Sequence, residues 1–193
     1  MVSVGVLALQ GDFAEHVSVM QELGVNTLEV RHAKEFDQID ALIIPGGEST
    51  TMARLLDLDE MRESLVRYAK EGMPVWGTCA GMIMLSTWVS DGRPEPLGLM
   101  DIKVSRNAFG RQVDSFEAAL DIPVIGEEKF HAVFIRAPIV DHVEKTVTVL
   151  GRLDDSTIVA VKQNSLLATS FHPELTKDYR LHEYFLEFIH KRK

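Results

Sequence analysis

The sequence contains a single cysteine, Cys79, among its 193 residues. One cysteine excludes a disulfide within the chain and any zinc site built on a pair of cysteines. The lone thiol is therefore either a small buried apolar group or a nucleophile. Free cysteines are among the most buried residue types, so a catalytic role needs support from the neighbouring residues and from other segments of the chain.

Basic residues and long apolar runs are both scarce. The chain has 20 Lys and Arg against 29 Asp and Glu, a net charge of −9, and no basic cluster apart from Lys191–Lys193. Nucleic acids and anionic membranes are therefore unexpected partners. The apolar run Val4–Leu9 is well short of the roughly 20 residues that a membrane span needs. We expect a cytoplasmic protein, since no targeting signal precedes this run and the thiol is free.

Two phosphate-binding signatures are absent. No Gly-Lys-Ser or Gly-Lys-Thr follows the glycine pair Gly46-Gly47, and no Gly-x-Gly-x-x-Gly opens the first predicted helix. Internal repeats and low-complexity tracts are absent too. The composition, 46% hydrophobic and 25% charged, is that of a globular protein, and we expect residues 1–193 to form one domain.

Short apolar segments alternate with helical patterns in the first half of the chain. This alternation predicts a three-layer α/β sandwich with a mostly parallel central sheet flanked by helices. The predicted strands are Val2–Leu9, Thr27–Val30, Ala41–Ile44 and Val75–Gly77, and the predicted helices are Phe13–Leu23, Asp59–Glu71 and Ala80–Val89.

The second half is richer in predicted strands and closes with one amphipathic helix, Leu181–Ile189. These strands are expected to extend the sheet and to add a small antiparallel layer. They are Ile102–Ser105, Val113–Leu120, Ala132–Ile135, Thr146–Leu150, Ile158–Val161 and Leu166–Ser170.

The segment Gly77–Gly81 has the form Gly-x-Cys-x-Gly at a predicted strand-to-helix junction. This is the thiol form of a nucleophile elbow, in which flanking glycines permit a tight turn that raises the nucleophile above the sheet. The helix N-terminus would also stabilise negative charge on the Cys79 sulfur. Because ligands bind at the carboxyl ends of parallel strands, this pattern favours Cys79 as a nucleophile over a buried apolar residue.

A cysteine nucleophile requires a base, and the base requires an orienting group. His172 directly follows the last predicted strand, and Glu174 can reach back to one ring nitrogen while the other faces Cys79. Alone, His-Pro-Glu would be an ordinary polar turn, whereas together with the elbow it predicts a triad. The other histidines lack a carboxylate so placed and are interpreted as surface or packing residues: His16, His32, His131, His142, His182 and His190.

Attack on a carboxyl-type carbon also needs donors for the developing oxyanion. The loop after Ile44 contains Gly46-Gly47, and the amides of Gly47 and Ala80 are the candidate donors. A glycine pair by itself is equally typical of a plain turn. An acyl-transfer site accounts for more of the segment Pro45–Thr51 than a turn does.

Gly-Thr-Cys-Ala-Gly followed by His-Pro-Glu resembles the class I glutamine amidotransferases, whose Cys-His-Glu triad hydrolyses the side-chain amide of glutamine. Further segments narrow the resemblance to the glutaminase subunits of pyridoxal 5′-phosphate synthase and span nearly the whole chain. They are Leu9-Gln10-Gly11 with Glu15-His16, PGGESTT at 45–51, RNAFGRQVDSFE at 106–117, FIRAP at 134–138 and FHPEL at 171–175.

The resemblance implies a role for each matching residue. Cys79 would be the nucleophile, His172 the general base and acid, and Glu174 its orienting partner, with no cofactor and no metal. The implied glutamine contacts are Gly47, Glu48, Ser49, Arg106, Ile135 and Arg136. Arg106 is suited to a carboxylate and Glu48 to an ammonium group.

The resemblance also implies a partner. A synthase subunit would receive the ammonia through a shielded passage and build it into pyridoxal 5′-phosphate, and its binding would arrange the oxyanion loop and activate the glutaminase. Gln10, Gly11 and Gly46 are expected at the same end of the sheet and are candidates for the interface.

Two alternatives remain open from the sequence. One is an amidotransferase of the same class in another pathway, such as histidine or guanine nucleotide synthesis, which would share the triad. The other is a non-enzymatic interaction module on the same fold with Cys79 as a redox sensor. A sensor needs no base, so it gives no reason for the His-Pro-Glu segment.

Overall fold

The computed structural model describes residues 2–106, 115–154 and 156–192, which contain twelve β-strands and five α-helices. The strands are β1 (Ser3–Leu7), β2 (Asn26–Val30), β3 (Ala41–Ile44), β4 (Val75–Thr78), β5 (Ser86–Val89), β6 (Met100–Ser105), β7 (Ser115–Leu120), β8 (Phe130–Ile135), β9 (Ile139–Val143), β10 (Thr148–Arg152), β11 (Ile158–Gln163) and β12 (Leu166–Thr169). The helices are α1 (Phe13–Glu22), α2 (Ser49–Leu56), α3 (Met61–Lys70), α4 (Ala80–Leu85) and α5 (Arg180–Arg192), and short 3-10 helices cover Ala33–Gln38, Pro123–Ile125 and Pro173–Leu175.

A ten-stranded sheet runs in the order β2-β1-β3-β4-β12-β11-β9-β6-β5, with β10 paired to β11. The half from β2 to β12 is parallel, as is the β5–β6 pair, while the pairings of β9, β10 and β12 with β11 and of β6 with β9 are antiparallel. Strands β7 and β8 form a separate antiparallel pair. The predicted mostly parallel sheet with an antiparallel extension is confirmed.

Apolar residues fill both faces of the sheet. In β3, Leu42 and Ile44 pack into a core shared with α2, α3 and α4, whereas Ala41 and Ile43 face a second core shared with α1, α5 and the β7–β8 pair. This alternation follows from the two-residue period of a strand, since successive side chains point to opposite faces. The structure therefore has the three layers that the sequence predicts.

The helix predicted over Ala80–Val89 is too long. Helix α4 ends at Leu85, and Ser86–Val89 forms strand β5, which pairs in parallel with β6. Thr87, Trp88 and Val89 are β-branched or aromatic and fit a pleated strand better than a helix. Apolar residues lie on both sides of Ser86 and Thr87, so hydrophobicity alone did not mark the boundary.

Helix α2 and strand β9 were not predicted. Helix α2 begins at Ser49, directly after the glycine pair, and the Glu48 carboxylate caps it by accepting hydrogen bonds from the backbone N–H groups of Thr50 and Thr51. Glutamate is not among the usual capping residues. In the strand predicted over Val113–Leu120, residues 113 and 114 lie outside the described residues, and β7 begins at Ser115.

The parallel half of the sheet brings its carboxyl ends together at one edge. Strand β12 lies beside β4 with Thr169 opposite Thr78, so the residues that follow each strand are neighbours. Strands β1 and β3 end at the same edge and lead to Gln10 and to the Gly46-Gly47 loop. Among the described helices, none has both the length and the apolar character required to cross a membrane.

Candidate active site

The backbone turns sharply at Cys79, where φ is 49° and ψ is −103°. A positive φ is strained for a residue with a side chain and is typical of nucleophile elbows. A Cβ atom on Gly81 would lie 2.1 Å from the Ile44 carbonyl oxygen, and one on Gly77 would lie 2.4 Å from the Gly81 backbone. Both flanking positions therefore require glycine. The turn closes on β12, since the Cys79 N–H donates to the Thr169 oxygen at 2.8 Å.

Cys79, His172 and Glu174 lie in contact in the order expected of a triad. The Nδ1 atom of His172 is 2.7 Å from Glu174 Oε1, both side chains are buried, and Cys79 lines the same cavity as the His172 ring. Burial acts to lower the pKa of His172, but Cys79 and Glu174 outweigh it and raise that pKa to about 10. A protonated imidazole beside the sulfur is the arrangement that activates a cysteine nucleophile.

Burial raises the pKa of Glu174, and the hydrogen bond from His172 opposes this shift. A second carboxylate, Asp12, also faces the imidazole, with its Oδ2 atom 3.4 Å from His172 Nδ1. Asp12 was not predicted as a site residue. Asp12, His172 and Glu174 place one potential metal ligand each within 4.8 Å, but His172 Nδ1 would have to release Glu174 to bind an ion.

The Gly46-Gly47 loop is packed tightly between Gln10, Gly11 and the triad. A Cβ atom on Gly46 would lie 2.4 Å from His172 Cε1, and one on Gly11 would lie 1.8 Å from the Gly46 oxygen. Gly47 has a φ of 144°, and the next N–H, that of Glu48, donates to Gln10 Oε1 at 3.0 Å. Gln10, Gly11 and Gly46 therefore border the candidate oxyanion loop, with Gly46 buried and Gly11 exposed.

A cavity of about 470 Å³ opens above Cys79. Its lining includes Ala80, His172 and Asp12 and every glutamine contact that the resemblance implies: Gly47, Glu48, Ser49, Arg106, Ile135 and Arg136. The Cys79 thiol approaches the Ile135 carbonyl oxygen at 3.8 Å. The structure thus brings together all the residues that the sequence analysis assigned to the nucleophile, the oxyanion donors and the glutamine contacts.

Two of the charged residues that line the cavity also form hydrogen bonds or ion pairs with other residues of the protein. Partial burial acts to raise the pKa of Glu48, but its hydrogen bonds from Thr50 and Thr51 lower it to about 2. Arg106 donates to the Arg93 oxygen at 2.8 Å and lies 3.7 Å from Asp91 Oδ2. Glu48 is therefore a fixed anion and Arg106 an anchored cation on the cavity wall.

His16 was interpreted as a surface or packing residue without a suitably placed carboxylate, and the structure brings a carboxylate to it from a distant segment of the chain. His16 is fully buried, and its Nε2 atom lies 3.3 Å from Glu174 Oε2 and 3.2 Å from Thr78 Oγ1. Its Nδ1 atom lies 3.1 Å from His182 Nε2. The burial of His16 could have been predicted from the sequence, because Phe13, His16 and Met20 share one helical face. The expectation of a surface position holds for His32, His131, His142 and His190, which are exposed.

The family model that matches this chain, at residues 6–191, is described as the SNO glutamine amidotransferase family. The chain is 58% identical over 187 residues to the pyridoxal 5′-phosphate synthase subunit PdxT of Herpetosiphon aurantiacus, covering 95% of this chain and 98% of that protein. It is 54% identical over 186 residues to the PdxT subunit of Dehalococcoides mccartyi, covering 95% of each chain.

A solved structure described as that of a glutamine amidotransferase is similar as well, with a TM-score of 0.92 and 46% sequence identity. The match covers 97% of this chain and 98% of the other. The chain belongs to the SNO glutamine amidotransferase family.

Proposed function

We propose that this chain hydrolyses L-glutamine to L-glutamate and ammonia and supplies the ammonia to a partner synthase subunit that makes pyridoxal 5′-phosphate. The observation that carries the chemistry is the strained Cys79 beside the buried His172–Glu174 pair, at the floor of a cavity. The pathway follows from the similarity to proteins named pyridoxal 5′-phosphate synthase subunit PdxT. That similarity favours this pathway over the other amidotransferase pathways.

In the first half of the reaction, the Cys79 sulfur attacks the carboxamide carbon of glutamine and forms a C–S bond. The C–N bond then breaks, and His172 donates a proton to the departing nitrogen, which leaves as ammonia. In the second half, His172 takes a proton from water as the water attacks the thioester. The C–S bond then breaks, glutamate leaves, and the Cys79 sulfur is restored as a thiolate beside the protonated His172. Glu174 holds the imidazole in the orientation that both proton transfers need.

The amides of Gly47 and Ala80 are the proposed oxyanion donors. Ala80 is the first residue of α4, and the N–H groups in the first turn of a helix have no partner within that helix. Both residues line the cavity beside Cys79. Preorganised donors of this kind typically contribute about 10²–10³-fold to turnover.

The amino acid end of glutamine would lie between opposite charges. Arg106 is proposed to bind the α-carboxylate and Glu48 the α-ammonium, with Ser49, Ile135 and Arg136 completing the wall. These assignments rest on the shared cavity and on the charge of each group. The hydrogen bonds that Glu48 accepts from the first turn of α2 keep its carboxylate ionised for this contact.

The partner is proposed to dock at the edge of the sheet where Gln10, Gly11 and Gly46 meet. Gln10 and Gly11 contact the Gly46-Gly47 loop directly, so a protein bound there could act on the candidate oxyanion donor. Ammonia released into water would become unreactive ammonium, and a docked acceptor avoids that loss.

We also propose one domain over residues 1–193, since the large sheet joins both halves of the chain. We propose a cytoplasmic location as well, where the Cys79 thiol stays reduced.

The test is glutamine hydrolysis by the full chain, with and without the synthase subunit, in wild type and in the Cys79→Ser and His172→Asn variants. We expect glutamate release by the wild-type complex and a loss of at least about 10³-fold in both variants. Exposed His142→Gln serves as the matched control and should retain wild-type activity. Glutamate release by Cys79→Ser at the wild-type rate would exclude the proposed chemistry.

A further inference from the structure

A pair of buried histidines lies behind Glu174, outside the set of residues that line the cavity. His16 and His182 are both fully buried, on α1 and α5, and their rings are 5.3 Å apart between centroids. Trp76 packs edge-on against both rings. The mechanism above gives neither histidine a task, yet His16 contacts the third member of the triad and also Thr78, the residue before the nucleophile.

Burial favours the neutral form of both histidines in the folded protein. Burial, followed by the charges of His182 and His172, lowers the pKa of His16 well below its ordinary value. Burial alone lowers the pKa of His182 to about 3. A neutral imidazole has one N–H donor and one acceptor nitrogen, so the contacts of each ring depend on which nitrogen holds the proton.

The surroundings select one arrangement of protons. Glu174 Oε2 is buried and forms no aligned hydrogen bond within the described residues. His16 Nε2 lies 3.3 Å from it and is hydrogen-bonded to Thr78 Oγ1 at 3.2 Å. An N–H at that position stabilises the carboxylate, whereas a lone pair would repel it. With its proton on Nε2, His16 must accept at Nδ1, and the N–H that faces this atom belongs to His182 Nε2, at 3.1 Å.

The other ring nitrogen of His182 also supports a hydrogen bond that runs from His182 Nε2 to His16 Nδ1. His182 Nδ1 is buried without a partner among the described residues. In the proposed arrangement that atom carries only a lone pair. In the reverse arrangement it would be an N–H donor with no acceptor, and orphaned buried N–H groups are the rarer case in proteins.

From this geometry we infer that His16, its tautomer fixed by His182, is a positioning residue for glutamine hydrolysis that places an Nε2–H between Thr78 Oγ1 and Glu174 Oε2. The contact holds Glu174 ionised and oriented while its other oxygen binds His172. The buried chain thus runs from Cys79 through His172 and Glu174 to His16 and His182. The inference rests on the proposed function, because it assigns a role in the same reaction.

Several groups near Glu174 together determine its pKa and therefore whether it is ionised. His172 donates to Oε1, and the nearby carboxylate of Asp12 adds repulsion that acts with burial to raise the Glu174 pKa. Removing the His16 donor would raise that pKa further, so the acid limb of the activity profile would move to higher pH. The KM for glutamine should hardly change, since His16 does not line the cavity.

The first test compares His16→Leu with His16→Gln in complex with the synthase subunit. Leu removes the donor, and we expect kcat to fall about tenfold or more, the range typical of groups that orient a ligand or base, with KM nearly unchanged. Gln can place an amide N–H near the former Nε2 atom, so it should recover part of kcat and of the wild-type pH profile. Equal kcat and pH profiles for wild type and His16→Leu would overturn the inference.

His182 allows a second test without altering any residue in contact with Glu174. His182→Leu removes the donor to His16 Nδ1 and releases His16 to take the wrong tautomer, so kcat should again fall. His182→Gln retains an N–H donor and should restore part of it. A common loss of kcat in the Leu and Gln variants, with unchanged pH profiles, would point to packing alone and would reject the relay.

A third measurement needs no variant and no turnover. In the full chain with ¹⁵N-labelled histidine, nuclear magnetic resonance should show His16 and His182 neutral, each protonated on Nε2. A proton on His16 Nδ1 would contradict the inference whether or not the variants fold. Absence of glutamate release by the wild-type complex would instead count against the proposed function. The nuclear magnetic resonance spectrum would still test the tautomers of His16 and His182.

Discussion

The buried His182 should make the stability of the protein sensitive to mild acid. Its pKa is lowered from 6.5 to about 3 in the folded state, because burial disfavours the charged ring. Between about pH 6.5 and pH 3, His182 therefore binds a proton in the unfolded chain but stays neutral in the folded chain. Stability is fully present above the unfolded pKa and is lost as the pH falls below it.

The magnitude follows from these two pKa values. At about pH 5, protonation of an unfolded histidine with its ordinary pKa stabilises the unfolded state by about 2 kcal/mol, while the folded state gains almost nothing. His16 acts in the same direction because its pKa is lowered as well. The Glu174 carboxyl, with its raised pKa, acts in the opposite direction, so the contribution of His182 is best isolated as a difference between two proteins.

The assay is urea unfolding of wild type and of His182→Gln at about pH 7.5 and about pH 5. Wild type should lose about 2 kcal/mol more than His182→Gln between the two pH values. His142→Gln, an exposed matched control, should lose as much as wild type. An equal loss in wild type and in His182→Gln would show that His182 is not held neutral, and the reasoning about its burial would be refuted.

Three further changes test the elbow and the cavity wall. Gly81→Ala places a Cβ 2.1 Å from the Ile44 oxygen and should cost about 3 kcal/mol or more in urea unfolding, whereas Gly24→Ala, with open space around it, should cost only about 1 kcal/mol for its positive φ. Arg106→Gln should raise the KM for glutamine about tenfold in steady-state kinetics and leave kcat nearly unchanged, since it removes a charged contact to the substrate. Glu48→Ala should lower the unfolding free energy by about 1 kcal/mol through loss of the α2 cap, and a change near zero would mean that the cap is not formed in solution.

The parallel half of the fold could be predicted because its signals are local. Ala41–Ile44 is apolar on both faces, and the structure contains the predicted strand with the same bounds. Gly-x-Cys-x-Gly predicted the sharp turn at Cys79, because glycine is required where the Ile44 oxygen lies against the backbone. His172 and Cys79 meet since β12 and β4 are neighbours in the sheet, a pairing that the strand-end positions of both residues already suggested.

Other features depend on contacts that the sequence does not display. Strand β5 follows α4 directly and pairs with β6, a segment more than ten residues further along the chain. Asp12 contacts His172, 160 positions away in the chain, through the packing of the Gly46-Gly47 loop. The burial of His16 was detectable from its helical face, but its contact with Glu174 depends on how α1 packs on the sheet.

The most direct test of nucleophilic attack by Cys79 is labelling of the full chain, in complex with the synthase subunit, by a glutamine analogue that carries an electrophilic ketone in place of the carboxamide. Peptide mass spectrometry should find the label on Cys79, with glutaminase activity lost in proportion to labelling and protected by glutamine. Activity that persists after Cys79 is fully labelled would contradict the central claim that its sulfur attacks the substrate.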